Sequence, residues 1–396
     1  MKERKIYCLN NISTVGTSRF REGYSLVDSM DDAAGVLVRS ADMKEMTFPA
    51  GLRAIARAGA GVNNIPLERC AEEGIVVFNT PGANANAVKE LVIAGLILSA
   101  RDIVGGAEWV RANIADPNVG KTAEKAKKAF AGNEIQGKAL GVIGLGAIGV
   151  NVANAAKQLG MDVYGYDPYL SVDAAWKLIR GIRHAQTIDE IYENCDFITI
   201  HVPYMEATKK MVNREGIAKM KDGVHFLNFA RDALVDEEAM AEALESGKVR
   251  SYVTDFANPI SVRMKNAVVL PHLGASTEEA EENCAIMAVD ELQDYLDNGN
   301  ITHSVNYPDL SAGVCQTACR VAILHRNIPN MLSQITAFFG GNGLNIENLA
   351  SKAKGKYEYT LIDLAGPMPH DTVERLKEID GVIRVRRLGG TSADIY

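Results

Sequence analysis

Three glycines and an aspartate stand at the spacing found where proteins bind dinucleotides. Gly144, Gly146 and Gly149 follow an apolar run, and Asp167 ends a second apolar run about 20 residues further on. The first glycine would turn the chain, the second would let the backbone approach phosphate oxygens, and the third would let a helix pack close to the strand. Asp167 would accept hydrogen bonds from ribose hydroxyls and repel a 2′-phosphate, which favours NAD over NADP. The alternative is a strand-to-helix turn that binds no nucleotide.

An arginine and a histidine follow two other predicted strands. Arg231 comes shortly after the strand that ends at Asn228, and His272 comes directly after Pro271. Ligands of open α/β sheets bind at the carboxyl ends of the strands, so both side chains should reach a bound substrate. A histidine can take up or donate a proton and an arginine can hold a carboxylate, so the two residue types suit acid/base chemistry on a bound acid. Taken singly, Arg231 could instead form a surface ion pair, and His272 a cap or a core contact.

Short apolar strands that alternate with helical runs predict an α/β protein with parallel sheets. A first series up to about residue 100 contains four such strands, and a second series contains six, which suits a doubly wound Rossmann-type sheet. The long helical run at 276–296 indicates that the chain returns to the first domain, which would make that domain discontinuous. The predicted strands are 5–9, 35–38, 52–56 and 75–78, then 139–143, 162–166, 197–201, 223–228, 251–255 and 267–270.

The C-terminal part predicts a separate small domain. Residues 297–317 are rich in turn formers and lack a clear period, as expected for a linker. The elements that follow have the β-α-β-β-α-β order of a ferredoxin-like fold. We therefore expect a substrate domain at 1–100 and 276–300, a nucleotide-binding domain at 101–275, a linker at 301–317 and the small domain at 318–396.

Composition sets bounds on function. The 396 residues carry a net charge of -8, which argues against nucleic acid or an anionic membrane as the main partner, so positive charge for an anionic ligand must be local. No signal peptide is evident and the apolar run at 91–100 is too short to span a bilayer, so we expect a cytoplasmic protein. The six cysteines should be reduced thiols, and Cys315 and Cys319 lack the companions of a metal site, so no metal is expected.

Further segments around the strand ends resemble the D-2-hydroxyacid dehydrogenase family. They are Phe229-Ala230-Arg231, Asp255, and the run Pro-His-Leu-Gly-Ala-Ser-Thr at 271–277. The C-terminal unit resembles an ACT regulatory domain, which narrows the likeness to the branch that oxidises 3-phospho-D-glycerate in the first step of L-serine synthesis. The resemblance implies NAD as cofactor, a flavodoxin-like substrate domain, His272 as general acid/base and Arg231 as the residue that orients the substrate. The implied cofactor contacts are Gly144, Gly146, Ala147, Ile148, Gly149, Asp167, Phe229, Ala230, Arg231, Asp255, His272, Leu273, Gly274 and Ala275.

The resemblance also implies contacts to substrate and effector. An arginine and serine at a strand end would bind the phosphate, and a glycine-rich loop would grip a carboxylate through backbone N–H groups. A solvated arginine and a simple turn are the alternatives. The implied substrate contacts are Arg39, Ser40, Gly61, Val62, Arg231 and His272, and the implied L-serine contacts are His325, Asn327 and Asn345. The C-terminal domain could instead serve only for assembly, and in either case we expect a homodimer or homotetramer.

Three positions depart from the family pattern. The family glutamate that pairs with the histidine and stabilises its protonated form is missing, and Asn258 stands before a proline in its place. Asp232 replaces a glycine after the arginine, and the Arg-Pro-Gly turn of the C-terminal domain reads Ile-Pro-Asn at 328–330. Two alternatives therefore stay open. One is a dehydrogenase of another D-2-hydroxy acid, such as glycerate or 2-hydroxyglutarate, for which Arg39 discriminates; the other is a non-catalytic NAD(H)-sensing binding protein.

Overall fold

The computed structural model describes residues 3–389. These residues form two compact units, one made of 3–84 with 278–389 and the other of Ala85–Thr277. The predicted first and last domains also include 1–2 and 390–396, which lie outside the described residues. Within 3–389, no helix combines the length and the apolar character needed to cross a bilayer.

The N-terminal part of the first unit is a five-stranded parallel sheet. Its elements are β1 (Arg4–Cys8), α1 (Thr14–Thr17), β2 (Tyr24–Val27), β3 (Gly35–Val38), β4 (Ala54–Arg57), α2 (Leu67–Glu72) and β5 (Val76–Phe78). The strand order β2-β1-β3-β4-β5 is that of flavodoxin-like folds, as the family resemblance implies. β2 escaped prediction because it is an edge strand of half-buried and exposed residues, without the apolar run that marks its neighbours.

The second unit is built on a seven-stranded parallel sheet. Its helices are α3 (Ala85–Ala100), α4 (Ile103–Ala112), α5 (Val119–Ala126), α6 (Ala147–Gln158), α7 (Val172–Lys177), α8 (Ile188–Asn194), α9 (Arg214–Lys219) and α10 (Glu237–Ser246). Its strands are β6 (Ala139–Ile143), β7 (Asp162–Tyr166), β8 (Arg183–His184), β9 (Phe197–Ile200), β10 (Val224–Asn228), β11 (Val249–Thr254) and β12 (Ala267–Val269). Short 3-10 turns occupy Lys127–Phe130, Glu206–Thr208, Asp232–Leu234 and Ser261–Arg263.

The order of these strands fixes where a ligand binds. It is β12-β11-β10-β9-β6-β7-β8, so the chain runs outward from β6 to β8 and then returns to the other side of β6. The switch point therefore lies between β6 and β9, and ligands of such sheets bind at the carboxyl ends of the strands there. The six strands predicted for this domain are confirmed. Helix α3 packs in the same core through Val88, Val92 and Leu96, so this compact unit begins at Ala85 and not near residue 101.

The C-terminal part of the first unit has the predicted ferredoxin-like order. After the long helix α11 (Glu278–Asn298) come β13 (Cys319–Arg326), α12 (Met331–Gly341), β14 (Ile346–Lys354), β15 (Tyr357–Leu364), α13 (His370–Lys377) and β16 (Val382–Leu388). The four strands form an antiparallel sheet in the order β14-β15-β13-β16. One face packs on α12 through residues such as Ile323 and Phe339, whereas alternate residues such as Leu324 and Tyr359 join the core of α11 and the N-terminal sheet.

The predicted linker is a packed segment. Tyr307 is fully buried, and its hydroxyl donates a hydrogen bond of 2.7 Å to the carbonyl of Ala71. Ile301 and Leu310 form an isolated antiparallel bridge within the same segment. Turn-forming residues thus describe its irregular backbone correctly but say nothing of its burial.

Candidate active site

The glycine turn after β6 has the shape that a pyrophosphate needs. Gly144 has a φ of +91°, and a Cβ added there would lie 2.7 Å from the carbonyl oxygen of His201. A Cβ on Gly149 would lie 1.9 Å from the carbonyl oxygen of Gly144, so only glycine lets α6 pack so near the strand. A Cβ on Gly146 would meet nothing within 4 Å. The space above Gly146 is therefore open, at the N-terminus of a helix with no acidic residue in its first turn, where an anion is favoured.

Asp167 is held beside this turn at the end of β7. Its Oδ2 accepts a hydrogen bond of 2.8 Å from the N–H of Leu145, and its Oδ1 accepts one of 2.8 Å from the N–H of Tyr169. An ionised carboxylate can accept about four hydrogen bonds, so the fixed carboxylate retains capacity for a pair of ribose hydroxyls. The open glycine turn and the half-buried Asp167 together fit NAD.

Asn228 shapes the turn that carries Arg231. Its side chain is fully buried at the end of β10, and its Nδ2 donates to the carbonyl of Arg231 at 2.8 Å. Its Oδ1 accepts from the N–H groups of Ala230 at 3.1 Å and Arg231 at 3.3 Å. The apolar run predicts Asn228 only as the end of a strand, although asparagine after a buried strand is a known turn signal. The ring of Phe229 is buried in the core, so it does not line an open surface.

Arg231 and His272 come together around Asp255. The N–H of His272 donates to the carbonyl of Asp255 at 2.9 Å, and His272 has a φ of +50°. The imidazole is exposed and lies against Phe256, with ring centroids 5.0 Å apart. The pKa of Asp255 is raised by burial, against the opposing effects of the Gly274 N–H and the charges of His272 and Arg231. The charges of both proposed catalytic residues therefore act on one buried carboxylate.

The cover over this carboxylate is the segment after His272. The N–H of Gly274 donates to Oδ2 of Asp255 at 2.9 Å, and Gly274 itself is buried. Oδ1 of Asp255 is buried without a hydrogen-bond partner. Leu273 is 42% exposed and Ala275 is half-buried, so this segment has a free outer face.

Asn258 does not take the place of the missing glutamate. Its Nδ2 donates to Oε1 of Glu237 at 2.7 Å, and its Oδ1 accepts from the N–H groups of Ile260 and Ser261, each at 2.9 Å. Burial raises the pKa of Glu237, while the hydrogen bond from Asn258 opposes that shift. Within residues 3–389, no side chain hydrogen-bonds to the imidazole of His272. The carboxylate on which the charge of His272 acts is that of Asp255.

The proposed carboxylate loop leaves its N–H groups unused. The amides of residues 60–63, which include Gly61 and Val62, have no hydrogen-bond partner in the part of the chain that the structure describes. Neighbouring amides are bonded, as when Ile65 donates to Val62 at 3.1 Å. A cluster of free N–H groups is suited to an anion. Sequence reasoning missed Arg57, whose guanidinium lies against Gly59 at the start of this loop.

Arg39 and Ser40 sit on a bonded backbone. Oδ1 of Asn10 accepts from the N–H groups of Arg39 at 2.9 Å and of Ser40 at 3.1 Å. The guanidinium of Arg39 pairs with Glu281 at 2.6 Å. The cation expected to hold a phosphate is therefore present, with a carboxylate as its partner.

The proposed serine contacts differ in exposure. His325 is fully buried: its Nδ1 lies 3.0 Å from the carbonyl of Arg326 and its Nε2 lies 2.9 Å from the hydroxyl of Thr360. Burial lowers the pKa of His325, so the ring is neutral and both nitrogens are occupied. Asn327 and Asn345 are both exposed, and Nδ2 of Asn327 donates to the carbonyl of Gly355 at 3.0 Å. In this conformation His325 is the one proposed serine contact that is closed to a ligand, and the effector site stays a prediction.

Cysteine and metal chemistry add no second site. No disulfide joins the six cysteines, all of which lie in the described residues. Across 3–389, no group of three or more histidine, cysteine or acidic side chains is placed to hold a metal ion.

Comparison with known proteins identifies the family. The family model described as "D-isomer specific 2-hydroxyacid dehydrogenase, NAD binding domain" matches residues 93–274. D-3-phosphoglycerate dehydrogenase of Haemophilus influenzae is 31% identical over 339 residues, which cover 83% of this chain and 79% of that protein. Hydroxypyruvate reductase of Thermotoga maritima is 36% identical over 303 residues, which cover 74% of this chain and 94% of that protein.

A solved structure supports the same conclusion. The NAD+-bound 3-phosphoglycerate dehydrogenase of Entamoeba histolytica matches with a TM-score of 0.62 and 28% identity, over 78% of this chain and all of that one. Some relatives are longer, since the chain spans 59%, 65% and 53% of three further D-3-phosphoglycerate dehydrogenases. The predicted resemblance and the predicted NAD-binding domain are confirmed. The chain belongs to the D-isomer-specific 2-hydroxyacid dehydrogenase family.

Proposed function

We propose that this chain is an NAD-dependent dehydrogenase that oxidises 3-phospho-D-glycerate to 3-phosphohydroxypyruvate, the first step of L-serine synthesis. The observation that carries the proposal is the grouping of an exposed histidine and an arginine around buried Asp255, at the carboxyl edge of a sheet whose glycine turn fits NAD. The free N–H groups of loop 60–63 and the guanidinium of Arg39 support an anionic substrate with more than one acidic group. The relatives named D-3-phosphoglycerate dehydrogenase support the phosphorylated substrate.

The protein's own residues divide the chemistry among them. His272 takes the proton of the substrate hydroxyl, while Arg231 binds the carboxylate through its planar fork of N–H donors. Asp255 supplies a negative charge that stabilises the imidazolium formed when the proton moves. The glycine turn and Asp167 would hold NAD+, which would supply the hydride acceptor when bound. Asn228 fixes the backbone from which Arg231 projects, and Nη1 of Arg231 donates a hydrogen bond of 2.6 Å to the carbonyl of Ala230.

The missing glutamate alters how His272 is supported, and not whether it acts. General acid/base catalysis contributes about 10²- to 10⁴-fold in rate. An enzyme whose histidine is supported by a neighbouring charge alone therefore keeps the acceleration that its other groups provide. The electrostatic contribution of Asp255 replaces a direct hydrogen bond to the ring. We therefore propose an active enzyme rather than a nucleotide sensor.

The test is a comparison of keto acids in the reductive direction. NADH consumption is followed with purified protein and 3-phosphohydroxypyruvate, hydroxypyruvate or 2-oxoglutarate. We expect kcat/KM to be highest for the phosphorylated keto acid. Turnover of none of the three, with NADH binding intact, would refute the dehydrogenase proposal and support the sensing alternative.

A second candidate substrate is a D-2-hydroxy acid without phosphate. The ion pair of Arg39 with Glu281 favours it, because the cation is already neutralised. The Thermotoga maritima relative, named for hydroxypyruvate, points the same way. Arg39→Met separates the two: it should raise KM for 3-phosphohydroxypyruvate and leave hydroxypyruvate unaffected if Arg39 binds phosphate.

We propose further that the chain has three domains, for substrate, NAD and regulation, and that it forms a homodimer or homotetramer in the cytoplasm. L-serine is the proposed effector of the C-terminal domain, with Asn345 exposed for it and His325 needing to leave its buried position. Repeating the assay with L-serine tests the effector, and measuring the mass of the assembly in solution tests the oligomeric state.

A further inference from the structure

Arg39, the residue proposed to bind the substrate phosphate, is part of an accessible ion pair. Its Nη2 lies 2.6 Å from Oε1 of Glu281, which stands in the first turn of α11. The side chains of Arg39 and Glu281 are 40% and 44% exposed, so solvent and solutes reach the pair. The three hydrogen bonds that Asn10 accepts from the backbone of residues 39–41 hold the base of the arginine in place. The guanidinium thus projects from a fixed backbone towards a carboxylate that water can replace.

A second guanidinium lies in the same neighbourhood. Arg57 ends β4, the strand next to β3. Cys284 lies one turn after Glu281 on α11, within electrostatic range of both arginines. Burial raises the pKa of its thiol, the charges of Arg57 and Arg39 lower that pKa, and the charge of Glu281 raises it. These groups therefore bring two positive charges and one negative charge close to one position on α11.

We propose that Glu281 is a positioning residue that competes with the substrate phosphate for Arg39 and so sets the KM of the phosphorylated substrate. The inference rests on the proposed function, in which Arg39 contacts the phosphate. A phosphate monoester carries about −1.5 to −2 charges at neutral pH, more than a carboxylate, so it can take the guanidinium from Glu281. It must either displace the carboxylate or tolerate its repulsion. Both outcomes weaken binding of the phosphorylated ligand.

The competition has a selective consequence. A keto acid without phosphate does not contact Arg39, so Glu281 does not weaken its binding. Inorganic phosphate, by contrast, must overcome the same carboxylate without the binding energy of the remaining substrate. Glu281 therefore keeps small free anions out of the site and moderates the affinity for the substrate.

The test compares two variants from one turn of α11. Glu281→Gln removes the charge with little change in size. Glu279→Gln is the matched control, because Glu279 is exposed and makes no ion pair or side-chain hydrogen bond within residues 3–389. For each protein, kcat and KM are measured with 3-phosphohydroxypyruvate and hydroxypyruvate, together with the inhibition constant of inorganic phosphate. Glu281→Asp, which keeps the charge but shortens the reach, is a second variant for the case that Glu281→Gln folds poorly.

The expected result is confined to phosphorylated ligands. Glu281→Gln should lower KM for 3-phosphohydroxypyruvate and the inhibition constant of inorganic phosphate by about two- to five-fold, the range of exposed ion pairs. Its kcat, and its KM for hydroxypyruvate, should stay unchanged, and Glu279→Gln should match the wild type. A KM that is unchanged or raised in Glu281→Gln, or one that falls equally in both variants, overturns the inference.

Failure of the proposed function would look different. A wild type that does not prefer 3-phosphohydroxypyruvate, and whose Arg39→Met variant is unaltered, would remove phosphate from Arg39 altogether. A wild type that prefers the phosphorylated substrate but ignores the loss of Glu281 would refute only the competition.

Discussion

At the scale of single residues, Asp255 is the position where function and stability oppose each other. Burial raises its pKa above that of the unfolded chain, so the neutral form is favoured in the folded state. The resulting stabilisation is complete below the unfolded pKa and is lost as pH rises through the folded pKa. At pH 7 an ionised carboxylate at this position therefore costs folding free energy, whereas the proposed mechanism requires its negative charge.

Asp255→Asn should consequently raise stability and lower activity. Asparagine keeps an acceptor for the N–H of Gly274 but removes the charge, so we expect the melting temperature at pH 7 to rise. In the reductive direction, where the imidazole must donate a proton, kcat should fall, because the negative charge that interacts with His272 is lost. Thermal unfolding and kcat for NADH consumption check the two effects. A variant with an unchanged kcat would show that the charge of Asp255 does not act on His272.

Restoring a glutamate at position 258 should not restore the family's acid/base pair. The side chain of Asn258 faces Glu237 and the following turn, so a glutamate there would meet a like charge and lose two backbone hydrogen bonds. We expect Asn258→Glu to lose about 1–2 kcal/mol of unfolding free energy, the usual cost of a lost cap, and to leave the pH profile in place. Denaturant unfolding and the pH profile measure this. Adding Glu237→Gln should recover part of the stability; a pH limb that moves would instead place residue 258 in contact with His272.

Individual site residues were predictable where chemistry dictates residue type. The glycines, Asp167, Arg231 and His272 stand out in the sequence because few other residue types suit the tasks that we propose for them. Asn228 and Arg57 did not, since their importance depends on a buried hydrogen-bond set and on a loop approach that spacing does not encode. The pairing of Arg39 with Glu281, some 242 positions away in sequence, was equally invisible.

At the scale of elements, the strand-turn-helix unit of β6 and α6 separates binding from packing. The two glycines Gly146 and Gly149 stand in one turn, but only Gly149 has a neighbour that would oppose a Cβ. Substituting each by alanine therefore tests two different interactions in the same element.

The alanine pair should give opposite phenotypes. Gly146→Ala meets no protein atom, so the apo protein should melt as the wild type does, while KM for NADH rises about tenfold or more because the Cβ occupies the phosphate's place. Gly149→Ala would put a Cβ 1.9 Å from a backbone oxygen, and should cost about 1–3 kcal/mol or more of stability. Apo melting curves and KM for NADH distinguish them. An unchanged KM in Gly146→Ala would mean that no phosphate rests on this turn.

Element prediction succeeded where burial is continuous. Strands of parallel sheets covered on both faces read as apolar runs, which is why β3, β6 and β10 were clear. The missed strands β2 and β8 lie at sheet edges, where half of the surface meets water and no such run is needed. The predicted boundary near residue 101 assigned the residues of α3 to the first domain, whereas they lie in the second unit, because an apolar run does not say which sheet it covers.

At the scale of the whole molecule, the C-terminal sheet is part of the structure of the first unit. Its residues Leu324 and Tyr359 share a core with α11, and the guanidinium of Arg386 donates to the carbonyls of Tyr295 and Leu296 at 3.1 and 3.0 Å, near the end of that helix. The sequence predicted a separate C-terminal domain joined by a linker. Hydrophobic periodicity indicates which face of an element is buried, but not which distant element packs against it. Contacts of this kind imply that the C-terminal sheet and the N-terminal sheet unfold together.

Arg320 provides the sharpest test of that cooperativity. Its guanidinium is almost fully buried, pairs with both oxygens of Asp363 at 2.6 and 3.0 Å, and donates to the carbonyl of Asn298 at the end of α11 at 3.0 Å. Arg320→Met leaves the Asp363 carboxylate buried without its partner, so we expect a loss of about 3–5 kcal/mol of unfolding free energy, which Arg320→Met with Asp363→Leu largely recovers. Arg320→Lys should rescue little, because an ammonium cannot reproduce the planar fork. Denaturant unfolding should show these decreases in unfolding free energy as a single transition for the whole unit. If the C-terminal sheet unfolded before the N-terminal sheet, the two sheets would be independent folding units.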